Sequence, residues 1–484
     1  MKGPLLLPLT LLVLLAGCAL GPDYRRPAPS AGPPPARFTA ATPVVSPAAP
    51  PDDWWRLYDD PALDALVRRA LAANTDLRVA LANLDAARAA LDLARVARVP
   101  STNVSAGAQY GVTTAELAAA RAGRRDPQAD WTFAPGFSAS WEIDLFGRVR
   151  RSIEAARADA EASEAAADAV RVTIAAETAR AYADACAFAN AAGVQRRSIA
   201  VADRGVTLTA VQRRAGAISG LELARAQALA QATRAPLPGL EAQRQNALFR
   251  LAVLTGTAPE AIPPSAAACI RPLALAEPIP VGDGVALIAR RPDIRQAERR
   301  LAGDTARIGV ATAALYPTIS LGGAVTSAAN GIGGLANSTN RTFAIGPLLS
   351  WAFPNIGGAR ARIRGANAQA AASLAAFDGA VLAALRDVEQ ALATNAAELD
   401  RHSALAGARA RDAQALAFAD RQYRDGAISY LNLLDAQRTL IADDNALALS
   451  NQLVSTNQIL LFKALGGGWR TSAAIPISRT GVTP

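Results

Sequence analysis

Cysteine is the first residue type in this sequence with chemistry to do. Lys2 precedes an apolar run from Leu5 to Leu15, and Leu15-Ala16-Gly17-Cys18 closes it. A charged start, a short apolar core and small residues describe a secretory signal, not a spanning helix. A thiol placed directly after such a core looks like a bacterial lipobox. In that pattern Cys18 is lipidated on its sulfur, becomes the new N-terminus and is acylated there. Ala19 follows, where aspartate commonly retains a lipoprotein in the inner membrane, so the pattern implies sorting to the outer membrane. Cys186 and Cys269 are the other cysteines; an oxidising periplasm would let them pair. Their spacing does not establish a bond, and the helical pattern around Cys186 favours a small packing residue. Catalytic chemistry finds no foothold. There is one histidine, His402, and no GxSxG, HExxH, CxxC or phosphate loop. Carboxylates are the remaining option, and nothing in the sequence places two of them in one pocket.

The composition points to helices. The 484 residues are 51% hydrophobic but only 5% aromatic, because alanine is so common. Alanine is the best helix former, so long helices packed through small residues are expected. Lys+Arg total 50 against 41 Asp+Glu, a net charge of +9. The signs are dispersed, with no run of five like charges, so a nucleic-acid arm is not expected.

Four segments alternate with the period of a strand. One has Val104, Ala106, Ala108, Tyr110 and Val112 against Ser105, Gly107 and Gln109. The clearest puts Trp131, Phe133, Pro135, Phe137, Ala139, Trp141 and Ile143 against Thr132, Gly136, Ser138, Ser140 and Glu142. The others are Ile319, Leu321 and Val325 against Ser320, Gly322 and Thr326, and Phe343, Ile345, Leu349, Trp351 and Phe353 against Thr342, Gly346 and Ser350. Aromatics near the ends of such segments suit outer-membrane barrel strands. Small polar residues such as Ser105, Gly107, Thr132, Ser138, Thr326 and Ser350 suit a wet interior. No apolar run after the signal reaches the ~18 residues of a spanning helix. Four strands cannot close a barrel, and an open edge is not tolerated in lipid. If these strands span the membrane, and are not a soluble sheet with one buried face, several chains must share one barrel; three would give twelve strands, and two would also close.

The chain is an internal duplication. Residues 214–227 match 424–437 at nine of fourteen positions, and Ser140, Trp141 and Gly147 match Ser350, Trp351 and Gly357. The reading gives a signal (1–17), a lipidated Pro-rich leader taken as extended (18–52), two repeats (53–270 and 271–470) and a tail (471–484). The first repeat has strands near 101–112 and 130–143, a long helix near 148–212 and a helix near 221–255. The second has strands near 317–327 and 341–353, a long helix near 357–424 and a helix near 431–465. A helix of ~65 residues is ~100 Å long, which suits a periplasmic span better than a globular domain. Gly216, Ala217 and Ser219, and again Gly426, Ala427 and Ser429, combine a helix-stopping glycine with an N-cap serine, so they mark helix-hairpin tips. Trp54 and Trp55 are expected to begin the packed region by ordinary burial.

Several motifs run in order along the chain: Cys18 with Gly21-Pro22-Asp23-Tyr24, Trp54-Trp55, Asp60-Pro61-Ala62-Leu63 and Asn74-Thr75-Asp76-Leu77. Then come Arg291-Pro292-Asp293-Ile294-Arg295, Tyr316-Pro317, Tyr430 to Arg438, and Lys463 to Trp469. With these the sequence resembles the TolC-like outer membrane factors, in their lipoprotein branch. The resemblance implies a mainly α fold with a membrane β-barrel: a homotrimer sharing a 12-stranded β-barrel and a 12-helix periplasmic α-barrel. It implies efflux of drugs or other small toxic compounds, with a periplasmic adaptor and an inner-membrane pump, often of the resistance-nodulation-division type. It implies no enzyme activity, no cofactor beyond the lipid on Cys18, and outer-membrane lipid as surroundings.

Leu431, Asp435 and Arg438 match the family's periplasmic constriction, and spacings of four and three put them on one helix face. Three copies of Asp435 would form an acidic ring. The first repeat carries Arg225 at the position of Asp435, so opposite charges could alternate around the entrance. The hairpin tips are the expected adaptor contacts. Two rivals remain: a secretion duct for polypeptides on the same fold, and a lipid-tethered periplasmic coiled coil with no pore. The four alternating strands argue against the second.

Overall fold

The computed structural model describes residues 20–28, 32–41, 45–354 and 356–468. Cys18, the signal, Trp469 and the tail lie outside the described residues. Along the chain run α1 (Pro61–Ala73), α2 (Thr75–Val96), β1 (Ser101–Ser105), β2 (Ala108–Gly111), α3 (Thr114–Ala122), β3 (Asp130–Phe133) and β4 (Gly136–Ile143). They continue with α4 (Arg148–Arg214), α5 (Gly220–Arg234), α6 (Leu237–Leu254), α7 (Gly284–Arg290), α8 (Pro292–Ala313), β5 (Thr318–Ser327), β6 (Arg341–Ser350), α9 (Ile356–Arg424) and α10 (Tyr430–Ala464).

The chain divides into two units. The first comprises Met1–Pro27, Leu84–Ala162 and Ala297–Phe377, and it holds the strands. Its sheet is antiparallel in the order β1-β4-β5-β6, with β2 and β3 paired separately. The duplication is visible in its hydrogen bonds. Trp141 Nε1 donates to the Arg98 carbonyl at 3.0 Å, and Trp351 Nε1 donates to the Leu315 carbonyl at 3.2 Å. Each tryptophan ties a strand to the chain that enters its repeat's first strand. Asp144 starts α4 by accepting from Val149 N at 2.9 Å and Arg150 N at 2.8 Å, which satisfies two free amides of the first helical turn.

Several sequence expectations are corrected here. The single strands near 101–112 and 130–143 are each broken in two, at Ala106-Gly107 and at Ala134-Pro135. Pro135 has no amide to offer a ladder, and Ala134 N donates instead to Gly107 O at 2.9 Å. The connection between the two strand pairs contains α3, capped by Thr113, whose hydroxyl accepts from Glu116 N at 3.1 Å. The expected helix near 221–255 is two helices, α5 and α6, because Pro236 interrupts the amide ladder. α9 contains an 18-residue window of mean hydropathy 1.5, long and apolar enough by composition to cross a bilayer. Contiguous apolar runs had excluded such a helix. α9 is rich in alanine, and that window is only 22% buried within the chain.

The second unit comprises Ala28–Asn83, Ser163–Gln296 and Asp378–Pro484. Its core gathers around Trp54, which is fully buried, stacked on Phe462 at 4.8 Å and edge-on to Trp55 at 6.0 Å. Leu63, Val67, Leu251, Ile459 and Leu461 pack into the same cluster. The glycine run near the end of the described chain is explained by this ring: a Cβ on Gly467 would come 2.8 Å from Trp54 Cδ1. The repeat's entry motifs act as helix caps. Asp60 accepts from Ala62 N and Leu63 N at 2.8 and 3.2 Å, and its other oxygen accepts from the Tyr182 hydroxyl at 2.9 Å. Asn74 accepts from Asp76 N and Leu77 N and donates to Leu254 O at 3.1 Å. Arg291 donates to Ala464 O at 3.0 Å and pairs with Asp293 at 2.7 Å.

The leader is not an extended tether. Phe38 is 3% exposed in this core, and Glu389 accepts from Thr39 N and Ala40 N at 2.7 and 2.8 Å. Proline content points to a spacer, but two of the leader's amides are held by a carboxylate about 350 residues away. Cys186 and Cys269 form a disulfide across 83 residues of sequence. Cys186 is also fully buried, so packing and bonding are both its role.

Candidate functional site

The sheet of the first unit is sorted by face. Pairing sets Val104, Phe137, Val325 and Phe343 in one row across all four strands. Ala139, Gly323 and Ile345 share that face, as do Trp141, Leu321 and Pro347, and then Ile143, Ile319 and Leu349. The other face carries Ser105, Gly136, Thr326 and Thr342 in one row, and Asn103, Ser138, Ala324 and Ala344 in the next. Leu348, opposite Ser320, is the apolar exception. Glu142 on the polar face is neutralised by an ion pair with Arg148.

The apolar face is bare within the chain. Val104 is 78% exposed, Phe343 81% and Ile345 77%. A contiguous apolar face of this kind marks contact with a partner or a membrane. The rings of Tyr110 and Trp131 meet at 5.6 Å, tilted by 56°, across β2 and β3. Among the described residues, β1 pairs only with β4 and β6 only with β5, so both outer edges of the sheet keep unpaired amides and carbonyls. Of the residues expected to line a wet interior, Ser105, Ser138, Thr326 and Ser350 lie on the polar side of the four-stranded ladder. Thr132 lies in the β2–β3 pair, and Gly107 falls in the break between strands.

The two hairpin tips of the second unit are near copies. Ala217 N donates to Gln212 O at 2.9 Å and Gly216 N to Arg213 O at 3.1 Å. At the other tip, Ala427 N donates to Gln422 O at 2.8 Å and Gly426 N to Tyr423 O at 3.1 Å. These are the paired bonds of a Schellman helix end. Gly216 and Gly426 both sit at φ +72 with open space around them. Ala217 and Ala427 are exposed, as are both glycines and both serines. The N-caps differ. Glu222 accepts from Ser219 N at 2.8 Å and from its hydroxyl at 3.2 Å. At Ser429 the carbonyl accepts from Asn432 N instead, since asparagine replaces the glutamate.

On α10, Tyr430, Leu433 and Leu434 are buried in a cluster with Ala226. Asp435 and Arg438 are exposed and Leu431 is half-buried, while Arg225 is exposed on α5. The expected constriction residues thus occupy the face of α10 turned away from its own cluster. Among the described residues none of Arg225, Asp435 and Arg438 makes an ion pair within the chain. Any ion pair of Arg438 at the constriction is therefore not made inside one copy. Beneath them is a contact with no signal in the sequence: the Tyr430 hydroxyl lies 3.0 Å from where a Cβ on Gly205 would stand, so α10 packs on α4 at a glycine notch.

The model of the family described as outer membrane efflux protein matches twice, over residues 66–257 and 285–467. The chain belongs to the outer membrane efflux protein family. The two matches fall one on each repeat of this efflux protein. It is 32% identical to outer membrane protein OprJ of Pseudomonas aeruginosa over 476 residues, covering 98% of each chain. It is 29% identical to the cation efflux system protein CusC of Escherichia coli O6:H1, covering 96% of this chain and 99% of that one. Among solved structures, the outer-membrane channel OprN superposes with a TM-score of 0.86 at 34% identity, covering 93% of this chain and all of that one. The MtrE outer membrane channel of Neisseria gonorrhoeae, in its open state, gives 0.81 at 28% identity, covering 94% and 99%. The fold is thus that of the TolC-like outer membrane channels, and this efflux protein is an outer membrane channel component that reaches into the periplasm.

Proposed function

We propose that three copies pool their strands into one twelve-stranded barrel, with the polar face lining the passage and the apolar face against lipid. The single observation that carries this is the four-stranded sheet with two unpaired edges and opposite faces of opposite polarity. In a bilayer each unpaired backbone group costs several kcal/mol, so the edges must meet other edges. A third of a barrel per chain matches the order β1-β4-β5-β6, in which first and last strands face outward along the ladder. The long helices α4 and α9 continue as the periplasmic duct.

In this reading Cys18 carries the lipid, and the duct needs no cofactor. It passively passes drugs or other small toxic compounds delivered by an inner-membrane pump of the resistance-nodulation-division type. A periplasmic adaptor grips the tips at Gly216, Ala217 and Ser219 and at Gly426, Ala427 and Ser429. Relatives are named for export of toluene, pyoverdine and cations. Cargo that varied suits a duct whose selectivity lies in the pump.

Leu431, Asp435, Arg438 and Arg225 form the constriction, the exposed charged side chains meeting those of neighbouring copies. Removing the charge of Asp435 should loosen it. Reconstituted Asp435→Ala channels should pass roughly two- to tenfold more current than wild type, because the local ion field at the entrance changes. Unchanged conductance in both Asp435→Ala and Arg225→Ala would remove these residues from the gate. Cells lacking the gene should accumulate a fluorescent efflux substrate, and equal accumulation with and without it would oppose the export reading.

A further inference from the structure

The N-terminal segment Leu20–Tyr24 makes contacts that a tether has no reason to make. Leu20 N donates to the Phe146 carbonyl just after β4, at 3.4 Å. Arg151, on the first turn of α4, is only 3% exposed. Its Nε donates to Leu20 O at 3.2 Å, and one terminal nitrogen donates to Gly21 O at 3.3 Å and to Asp23 Oδ1 at 2.7 Å. The other terminal nitrogen pairs with Glu154 at 2.8 Å. Three of these four partners come from the leader. Without the leader, Arg151 would keep Glu154 as its carboxylate partner and exchange the other three contacts for water.

Two glycines allow the approach. Gly21 sits at φ +88, and a Cβ there would stand 2.5 Å from Gly309 Cα on α8; a Cβ on Gly309 would stand 2.8 Å from Leu20 O and from Arg151 Cγ. Next, the Tyr24 hydroxyl donates to Glu298, and the Arg299 guanidinium lies over the Tyr24 ring at 5.4 Å. The electrostatics agree with a closed contact. Arg151 holds the Asp23 carboxyl below its ordinary range. Burial pushes the Glu298 carboxyl up, but hydrogen bonds from Arg299 and Tyr24 outweigh it and leave it lowered. Gly21, Asp23 and Tyr24 are the residues of the motif that follows Cys18.

We infer that Arg151, Gly309 and Glu298 form a receptor site for the chain's own N-terminal segment, so that the lipid on Cys18 is held at the foot of the sheet and not on a free tether. This rests on the lipid reading of Cys18 for its consequence, but the docking itself does not. Arg151 is a positioning residue here: it fixes Leu20, Gly21 and Asp23.

Arg25 and Arg26, exposed directly after the docked segment, give a trypsin readout. In full-length protein purified in mild detergent, cleavage at Arg25 should be slow in wild type and about tenfold faster in Gly21→Val, since cleavage tracks local opening. Asp23→Ala combined with Tyr24→Phe alters only the leader, leaves the rest of the fold intact, and should also speed cleavage several-fold. The thermal midpoint of that double variant should stay at the wild-type value. If wild type is cut as fast as both variants, the receptor site does not exist. Incorporation of labelled palmitate, followed in parallel, isolates the other premise: wild type without label would sink the lipid reading while leaving the cleavage comparison to judge the docking.

Discussion

Arginine in place of Phe343 should keep this protein out of the outer membrane. Phe343 stands at one end of the row Val104, Phe137, Val325 and Phe343, on the edge strand β6, and it is the most exposed of them. Arginine on the lipid face of a barrel costs about 2–4 kcal/mol at the bilayer midplane and less toward the interfaces. In a shared barrel every copy carries the substitution, so the cost is multiplied by the number of copies. The neighbouring position supplies the control. Ala344 belongs to the opposite face, so Ala344→Arg should insert and alter the current instead. Outer-membrane fractions should contain Ala344→Arg at close to wild-type levels and little Phe343→Arg. Equal recovery of both would mean the faces are assigned wrongly.

Truncating Trp54 to alanine should cost about 3–5 kcal/mol, the usual loss for a large buried aromatic. The side chain is fully buried between Phe462, Trp55 and the glycines at 467 and 468. That is a large share of the ~5–15 kcal/mol that holds a folded protein together. Cellular levels should fall several-fold, and thermal melting should begin at a clearly lower temperature. Trp54→Phe keeps the stack on Phe462 and should recover much of the loss. Melting of Trp54→Ala within the error of wild type would show that the ring is not the centre of this unit.

What the sequence revealed and what it hid divide along a physical line. Alternation in 319–326 and 343–353 identifies faces because side-chain direction in a strand depends only on the neighbour count along the chain. The same logic locates the tips, since Gly216 and Gly426 mark their own turns. The repeat is legible for a similar reason, and it extends to matched hydrogen bonds from Trp141 and Trp351.

The misreadings come from interactions between distant residues. Proline 236 was visible, but the apolar pattern continues past it and disguised two helices as one. The leader was read from its prolines, while its fixed path depends on Glu389, Arg151 and Gly309, all more than a hundred residues away. The disulfide joins residues 83 apart, and no local signal announces it. The proposed gate lies between these cases. Spacing put Leu431, Asp435 and Arg438 on one face, and the fold exposes Asp435 and Arg438 there. Their proposed partners belong to other copies, so neither one sequence nor one folded chain contains them.

A closed barrel requires strands to be pooled between identical chains. Native mass spectrometry of the full-length, membrane-extracted protein in mild detergent addresses that directly. A single species containing three chains is the predicted result. A stable, folded single chain as the dominant species would contradict it, because the unpaired edges of β1 and β6 would then have nothing to meet.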